Sequence, residues 1–203
     1  MLEIETKVIG IDVPSVRKSL KARKAKFLGK FLLKRYVFNL SNKEGEDNYV
    51  RIRTDGKKAT LTYKFRKGKG LRNTTEIETG IEDFEKAARI FSRIIKERYY
   101  QENLRESYLY KGAAVDINTW PEIPPYVEVE GRSAKHVYGC IRALGIKGKT
   151  VGNISAVQLY RLYGKDLHSE KAVRFRQGEQ FRPKAVYADG AGEKIINHLD
   201  KLQ

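Results

Sequence analysis

Residues 2–8 alternate strictly, with Leu2, Ile4, Thr6 and Val8 on one side of an extended chain and Glu3, Glu5 and Lys7 on the other. The pattern predicts a strand with one wholly charged face. Pro14 suits the first turn of a helix, and Val16, Leu20 and Ala22 give that helix a modest apolar stripe before the basic stretch 21–26. Phe27 to Leu40 is aromatic and aliphatic enough for a long strand, closed by the turn formers of SNKEGEDN. Two alternating runs then flank Asp55-Gly56 and Lys57-Lys58 and predict a hairpin. In it Val50 and Ile52 oppose Arg51 and Arg53, while Leu61, Tyr63 and Phe65 oppose Thr62, Lys64 and Arg66. Residues 74–81 repeat the alternation, with Glu76 and Glu78 opposite Ile77, Thr79 and Ile81.

At residues 83–96 the period changes: Phe84, Ala87, Ala88, Phe91, Ile94 and Ile95 recur at helical spacing. Strands resume near 98–110, at AAVDINTW and at YVEVEG. SAKHVYGCIRALGI reads as a helix ended by Gly145, and a further helix is expected around 155–163. Seven or eight strands, each apolar on one face and charged on the other, imply an antiparallel sheet with helical cover. Carboxylates gather on the first and last strands and bases on the hairpin between. Rolling the sheet with that face inward gives a barrel with a charged, hydrated bore and an aliphatic exterior coated by helices.

A chain of 203 residues is long enough to bury a core without disulfide or metal staples. Its one cysteine, Cys140, has no internal partner, and no apolar run reaches membrane length, so a cytoplasmic setting with no membrane partner is expected. Lys and Arg number 41 against 25 Asp and Glu, a net charge of +16 that favours polyanionic partners. The excess is +8 up to Glu130 and another +8 in the much shorter remainder, so it is denser towards the C-terminus.

Glu3-x-Glu5-x-Lys7 places two carboxylates and an ammonium about 7 Å apart on one strand face. Carboxylates that close call for a counter-charge, which a divalent cation with oxygen ligands supplies; a solvated strand with a salt bridge accounts for the same spacing. Glu128-x-Glu130 repeats the geometry late in the chain, with Asp116 twelve residues earlier. If these groups converge they offer oxygen sites for Mg²⁺ or Mn²⁺. Arg51-x-Arg53 and Lys64-x-Arg66 form basic rungs suited to a polyphosphate, or to an edge hairpin kept soluble by charge. Arg98 and Arg105 extend that ladder, as does Lys96 unless it closes a helix C-terminus, and Glu76 and Glu78 read as neutralising neighbours in preference to metal ligands. His136, His168 and His198 share no motif and read as surface or helix residues.

EIETK, YVRIR, LTYK, KER, VDINTW and YVEVEG, in that order, resemble the signature strands of the CYTH domain proteins, or triphosphate tunnel metalloenzymes, which include class IV adenylyl cyclases and thiamine triphosphatases. The resemblance covers about residues 1–170, leaving 171–203 as a basic C-terminal extension. It implies an α+β fold, an eight-stranded antiparallel β-barrel with helices packed outside. It further implies Mg²⁺ or Mn²⁺ dependence and a triphosphate substrate such as ATP, thiamine triphosphate or tripolyphosphate. By that likeness Glu3, Glu5, Asp116, Glu128 and Glu130 are metal ligands. Lys7, Arg51, Arg53, Lys64, Arg66 and Arg98 grip phosphates, and Glu3, Glu5, Lys7 and Lys64 are catalytic. The expected activity is hydrolysis of the terminal phosphate, with class IV adenylyl cyclisation as the alternative and non-catalytic polyphosphate or RNA binding third. A homodimer is left open, and nucleic-acid binding through the basic extension is not favoured.

Overall fold

The computed structural model describes residues 4–40, 46–67, 74–169 and 171–176; side chains at 46, 47, 66, 67 and 74 lie outside that description. In chain order the elements are β1 (Ile4–Ile9), α1 (Val13–Ala22), β2 (Lys26–Asn39), β3 (Glu46–Thr54), β4 (Ala59–Lys67), β5 (Thr74–Ile81) and α2 (Phe84–Ile94). They continue as β6 (Arg98–Tyr110), β7 (Ala113–Thr119), β8 (Tyr126–Gly131), α3 (Ala134–Leu144), β9 (Lys149–Gly152), α4 (Ala156–Leu162) and β10 (Ala172–Val173). The expected α+β class holds, with one large sheet and four helices.

The sheet runs β5-β4-β3-β2-β6-β7-β8-β1-β9, with β10 added beside β6. The eight strands read from the sequence are β1 to β8; β9 and β10 are short additions that carry too little alternation to be seen. Every pair on the main path is antiparallel, and only β10 joins in parallel. The hydrogen-bonded path stays open between β5 and β9, yet the sheet rolls far enough for β5 at one end and β1, next to β9, at the other to line one cavity.

Local chemistry sets the element ends. Asp12, Asp83, Ser133 and Ser155 cap α1 to α4, each side chain accepting from a backbone N–H three residues on. Gly145 ends α3 at φ 61°, in the left-handed region where a Cβ is costly. Asp55 Oδ1 accepts from the N–H groups of Lys57 and Lys58, both at 2.8 Å, and fixes the β3–β4 turn. That turn sets a register in which Arg51 faces Thr62, Arg53 faces Thr60 and Lys64 faces Tyr49. The basic rungs therefore share a face without placing like charges directly opposite one another.

The apolar faces point outward, under helices. Val8, Val115, Ile117, Val127 and Val129 pack against Val16 and Leu20 of α1 and Val137, Cys140, Ile141 and Leu144 of α3. Phe38, Val50 and Ile52 pack under Ala88 of α2. Trp120, Tyr126, Leu159, Tyr160 and Leu167 form a third cluster around α4. At about 1.5–3 kcal/mol per fully buried large aliphatic side chain, these seams hold the sheet's apolar side and leave the charged side for the interior. No helix among the described residues is long and apolar enough to cross a membrane.

Candidate active site

A cavity of about 280 Å³ occupies the charged side of the rolled sheet. Glu5 and Lys7 reach it from β1, Arg35 from β2, Arg51 and Arg53 from β3, Lys64 from β4, Arg105 from β6, and Glu128 and Glu130 from β8. Glu76 and Glu78 of β5, Asn153 to Ala156 before and into α4, and the rings of Tyr49, Trp120 and Tyr126 complete the lining.

Its acidic wall forms where β1 meets β8, in a register that pairs Glu5 with Glu130 and Lys7 with Glu128. The Lys7 Nζ donates to Glu5 Oε1 at 3.0 Å and stands 3.1 Å from Glu128 Oε2. Burial alone would lower the Lys7 ammonium, but Glu128 and Glu5 more than reverse that and raise it above the usual lysine range. The two carboxyls respond oppositely. Burial and the charge of Glu128 push Glu5 up, whereas Glu128 is held down against its own burial by Lys7 and Arg105 together. Glu128 faces two cations, since Arg105 Nη2 is also 3.3 Å from its Oε1.

The basic wall is more crowded. Register places Arg35 beside Arg53, and Arg35 is buried with no hydrogen-bond partner for Nε or Nη2. Burial and the charges of Arg51, Arg53 and Arg105 press its guanidinium down to about 9, and burial with Arg51 and Arg105 presses Arg53 to about 10. Guanidinium holds its proton tenaciously, so this pressure is a standing repulsion that a bound anion relieves. Lys64 Nζ lies 2.8 Å from Glu76, and Arg51 lies 3.5 Å from both Glu76 and Glu78. The β5 carboxylates thus neutralise the basic rungs, as the sequence suggested.

Of the expected phosphate-gripping residues, the structure brings Lys7, Arg51, Arg53 and Lys64 together. It does not bring Arg98: that side chain is exposed and lines a separate groove beside α2 with Arg89 and Arg93. The physical reason is parity. Tyr99, Gln101, Asn103 and Arg105 share the inward face of β6, and Arg98 falls on the opposite side at the strand's start. Arg105, weighed only as an extension of the ladder, takes the central place. Asp116 does not line the cavity; its Oδ2 grips Arg105 Nη1 at 2.9 Å. Glu3 and the Arg66 side chain lie outside the described residues. Arg35 was missed altogether. Its signal was an arginine in the same row as Leu33 and Val37, which are buried on β2.

The acidic wall suits a hard divalent cation. Glu5, Glu128 and Glu130 offer only oxygen donors to the cavity. Among the described residues no three carboxylate, histidine or cysteine groups form a ready-made cluster.

Fold and cavity define a tunnel-type protein with acidic and basic walls facing each other across one cavity. The chain belongs to the CYTH domain family, whose model matches residues 1–147. That family binds triphosphates and generally depends on Mg²⁺ or Mn²⁺. A protein of Pyrococcus horikoshii OT3 is similar in fold, with a TM-score of 0.60 and 21% identity over 71% of this chain and 91% of that one. A conserved hypothetical protein from Pyrococcus furiosus gives 0.59 and 25% over the same shares. A Hippeastrum protein, studied as an adenylyl cyclase and described as having a dominant triphosphatase activity, gives 0.53 and 18% over 80% of this chain and 96% of that one. A search of curated proteins finds no match.

Proposed function

We propose that this protein hydrolyses the terminal phosphate of an organic or inorganic triphosphate. The observation that supports this reading most is the five-cation wall of Arg35, Arg51, Arg53, Lys64 and Arg105 facing Glu5, Glu128 and Glu130 across one small cavity. Such a wall holds a chain of phosphoryl oxygens, arginine by its planar fork and lysine as a point charge. In-line transfer demands little beyond positioning and charge stabilisation.

In this reading the basic wall fixes the triphosphate and offsets charge on the departing diphosphate oxygen. Glu5, whose carboxyl burial and Glu128 hold above its ordinary range, accepts the proton of the attacking water as the new P–O bond forms and the old one breaks. Lys7 keeps Glu5 and Glu128 in place. Glu128 and Glu130, together with Glu3, would hold Mg²⁺ or Mn²⁺, which would neutralise phosphate charge and acidify bound water, while Asp116 stays engaged with Arg105.

Class IV cyclisation is the second reading, because Tyr49 and Ile154 give the same cavity apolar surface against which a purine can rest. It additionally needs a positioned ribose hydroxyl. Incubation with ATP, tripolyphosphate and thiamine triphosphate in Mg²⁺ or Mn²⁺ separates the two. Diphosphate plus phosphate from any substrate supports hydrolysis, and cyclic AMP plus pyrophosphate as the main product selects the cyclase. No turnover of any of the three, by a protein whose fold is intact, defeats both.

A further inference from the structure

Away from the cavity, Phe27, Leu28 and Leu109 are 55%, 50% and 42% exposed. Phe27 and Leu28 form one patch beside Tyr108, which pairs with Phe27 and whose ring centre is 5.1 Å from that of Phe27, whereas Leu109 pairs with Lys26 and falls on the other face of the strand. The β2–β6 register shifts between Phe27 and Gly29, so Leu28 is pushed out on a bulge. Gly29 locks that bulge at φ 148°, where an added Cβ would lie 2.5 Å from the Phe31 ring.

Basic side chains border the patch. Between Arg17 and Lys30 the chain carries Arg17, Lys18, Lys21, Arg23, Lys24, Lys26 and Lys30, and no acidic residue occurs between Asp12 and Glu44. Arg17 Nε donates to Glu106 Oε2 at 2.8 Å and Lys30 lies 3.7 Å from the same carboxylate, so α1 and the bulge are held side by side. The apolar stripe of α1, Val16 and Leu20, is already buried in the core beneath it. The helix therefore presents charge, and the strand bulge presents the apolar groups.

We propose that α1 and the β2 bulge form a peripheral docking surface for an anionic lipid bilayer. Aromatic and leucine side chains that enter the headgroup boundary, flanked by lysines that meet acidic headgroups, are the two contributions such binding needs. Contact of this kind requires no spanning segment and is compatible with the absence of a long apolar helix among the described residues. A second copy of the chain fits less well. Among the described residues, positions 26–33 of β2 pair with β6 alone, but the bulge and the lysines at 26 and 30 obstruct strand addition there.

Co-sedimentation of the full chain with phosphatidylcholine vesicles, with and without about 30% phosphatidylserine, tests this. Binding at least about tenfold stronger to the anionic vesicles, weakened by salt, is expected. The pair Phe27→Ser and Leu28→Ser, and separately Lys21→Glu and Lys24→Glu, should each lower that binding about tenfold while melting temperature and triphosphate binding stay unchanged. Emission from Leu28→Trp should shift to the blue on anionic vesicles only. Equal binding to both vesicle types, or anionic binding untouched by the Phe27 and Leu28 changes, overturns the proposal. So does a dimer in solution that those changes dissociate, or RNA binding that they abolish.

Discussion

The guanidinium carbon of Arg35 lies 4.6 Å from the centre of the Trp120 ring, which leaves a buried cation supported by an aromatic face and opposed by three neighbouring arginines. A cation–π contact recovers only about 0.5–2 kcal/mol, less than isolation in a low-dielectric site costs. Arg35→Met should therefore stabilise the ligand-free protein by about 1–3 kcal/mol and weaken tripolyphosphate binding at least about tenfold. Thermal melts with and without tripolyphosphate measure both. A ligand-free variant that melts below the parent contradicts the account.

Glu5 and Glu128 should contribute to the pH dependence of stability with opposite signs. Glu5 is raised from 4.5, so the folded state binds more protons, and its contribution falls as pH climbs from about 4.5 to its higher folded value. Glu128 is lowered, so its contribution is complete above about 4.5 and is lost as pH drops through its folded value. Stability measured against pH for Glu5→Gln and Glu128→Gln, each compared with the parent, should diverge in those two directions. Parallel curves would refute the assignment.

Lys7, itself buried, is the common counter-ion of two part-buried carboxylates. Lys7→Met strands both and should cost about 3–5 kcal/mol in urea unfolding. Adding Glu128→Gln to that variant should recover part of the loss, as a double-mutant cycle detects. A Lys7→Met protein as stable as the parent would show that Arg105 alone suffices.

Arg98 and Arg105 separate the sequence expectation from the structural one. Arg98→Ala should leave triphosphate turnover within about twofold, because its side chain is exposed beside α2. Arg105→Ala should lower turnover at least about a hundredfold, since it removes a cation of the wall proposed to hold phosphate and frees Asp116 and Glu128 from their partner. The reverse ranking would return Arg98 to the site.

Much of the architecture was legible in the chain because alternation is local. The charged rows Glu5-Lys7, Arg51-Arg53 and Glu128-Glu130 each declare a strand face at period two, and Pro14, the change of period at residues 83–96 and Gly145 mark helices. Arg35 escaped because its one sign, an arginine in the same row as Leu33 and Val37, is a single residue with no second base beside it at period two. Arg98 misled because a conspicuous base at a strand's start says nothing of which face it joins.

The sequence by itself determined which side of each strand is charged and which is apolar, since that follows from bond geometry between neighbouring residues. Only the tertiary structure decided which charges meet. The β1–β8 register sets Lys7 across from Glu128, the Asp55 turn staggers the arginines against threonines, and the roll of the sheet carries Arg35 and Arg105 to one cavity. Register and curvature depend on contacts between residues far apart in the chain, whose free energies no local pattern contains.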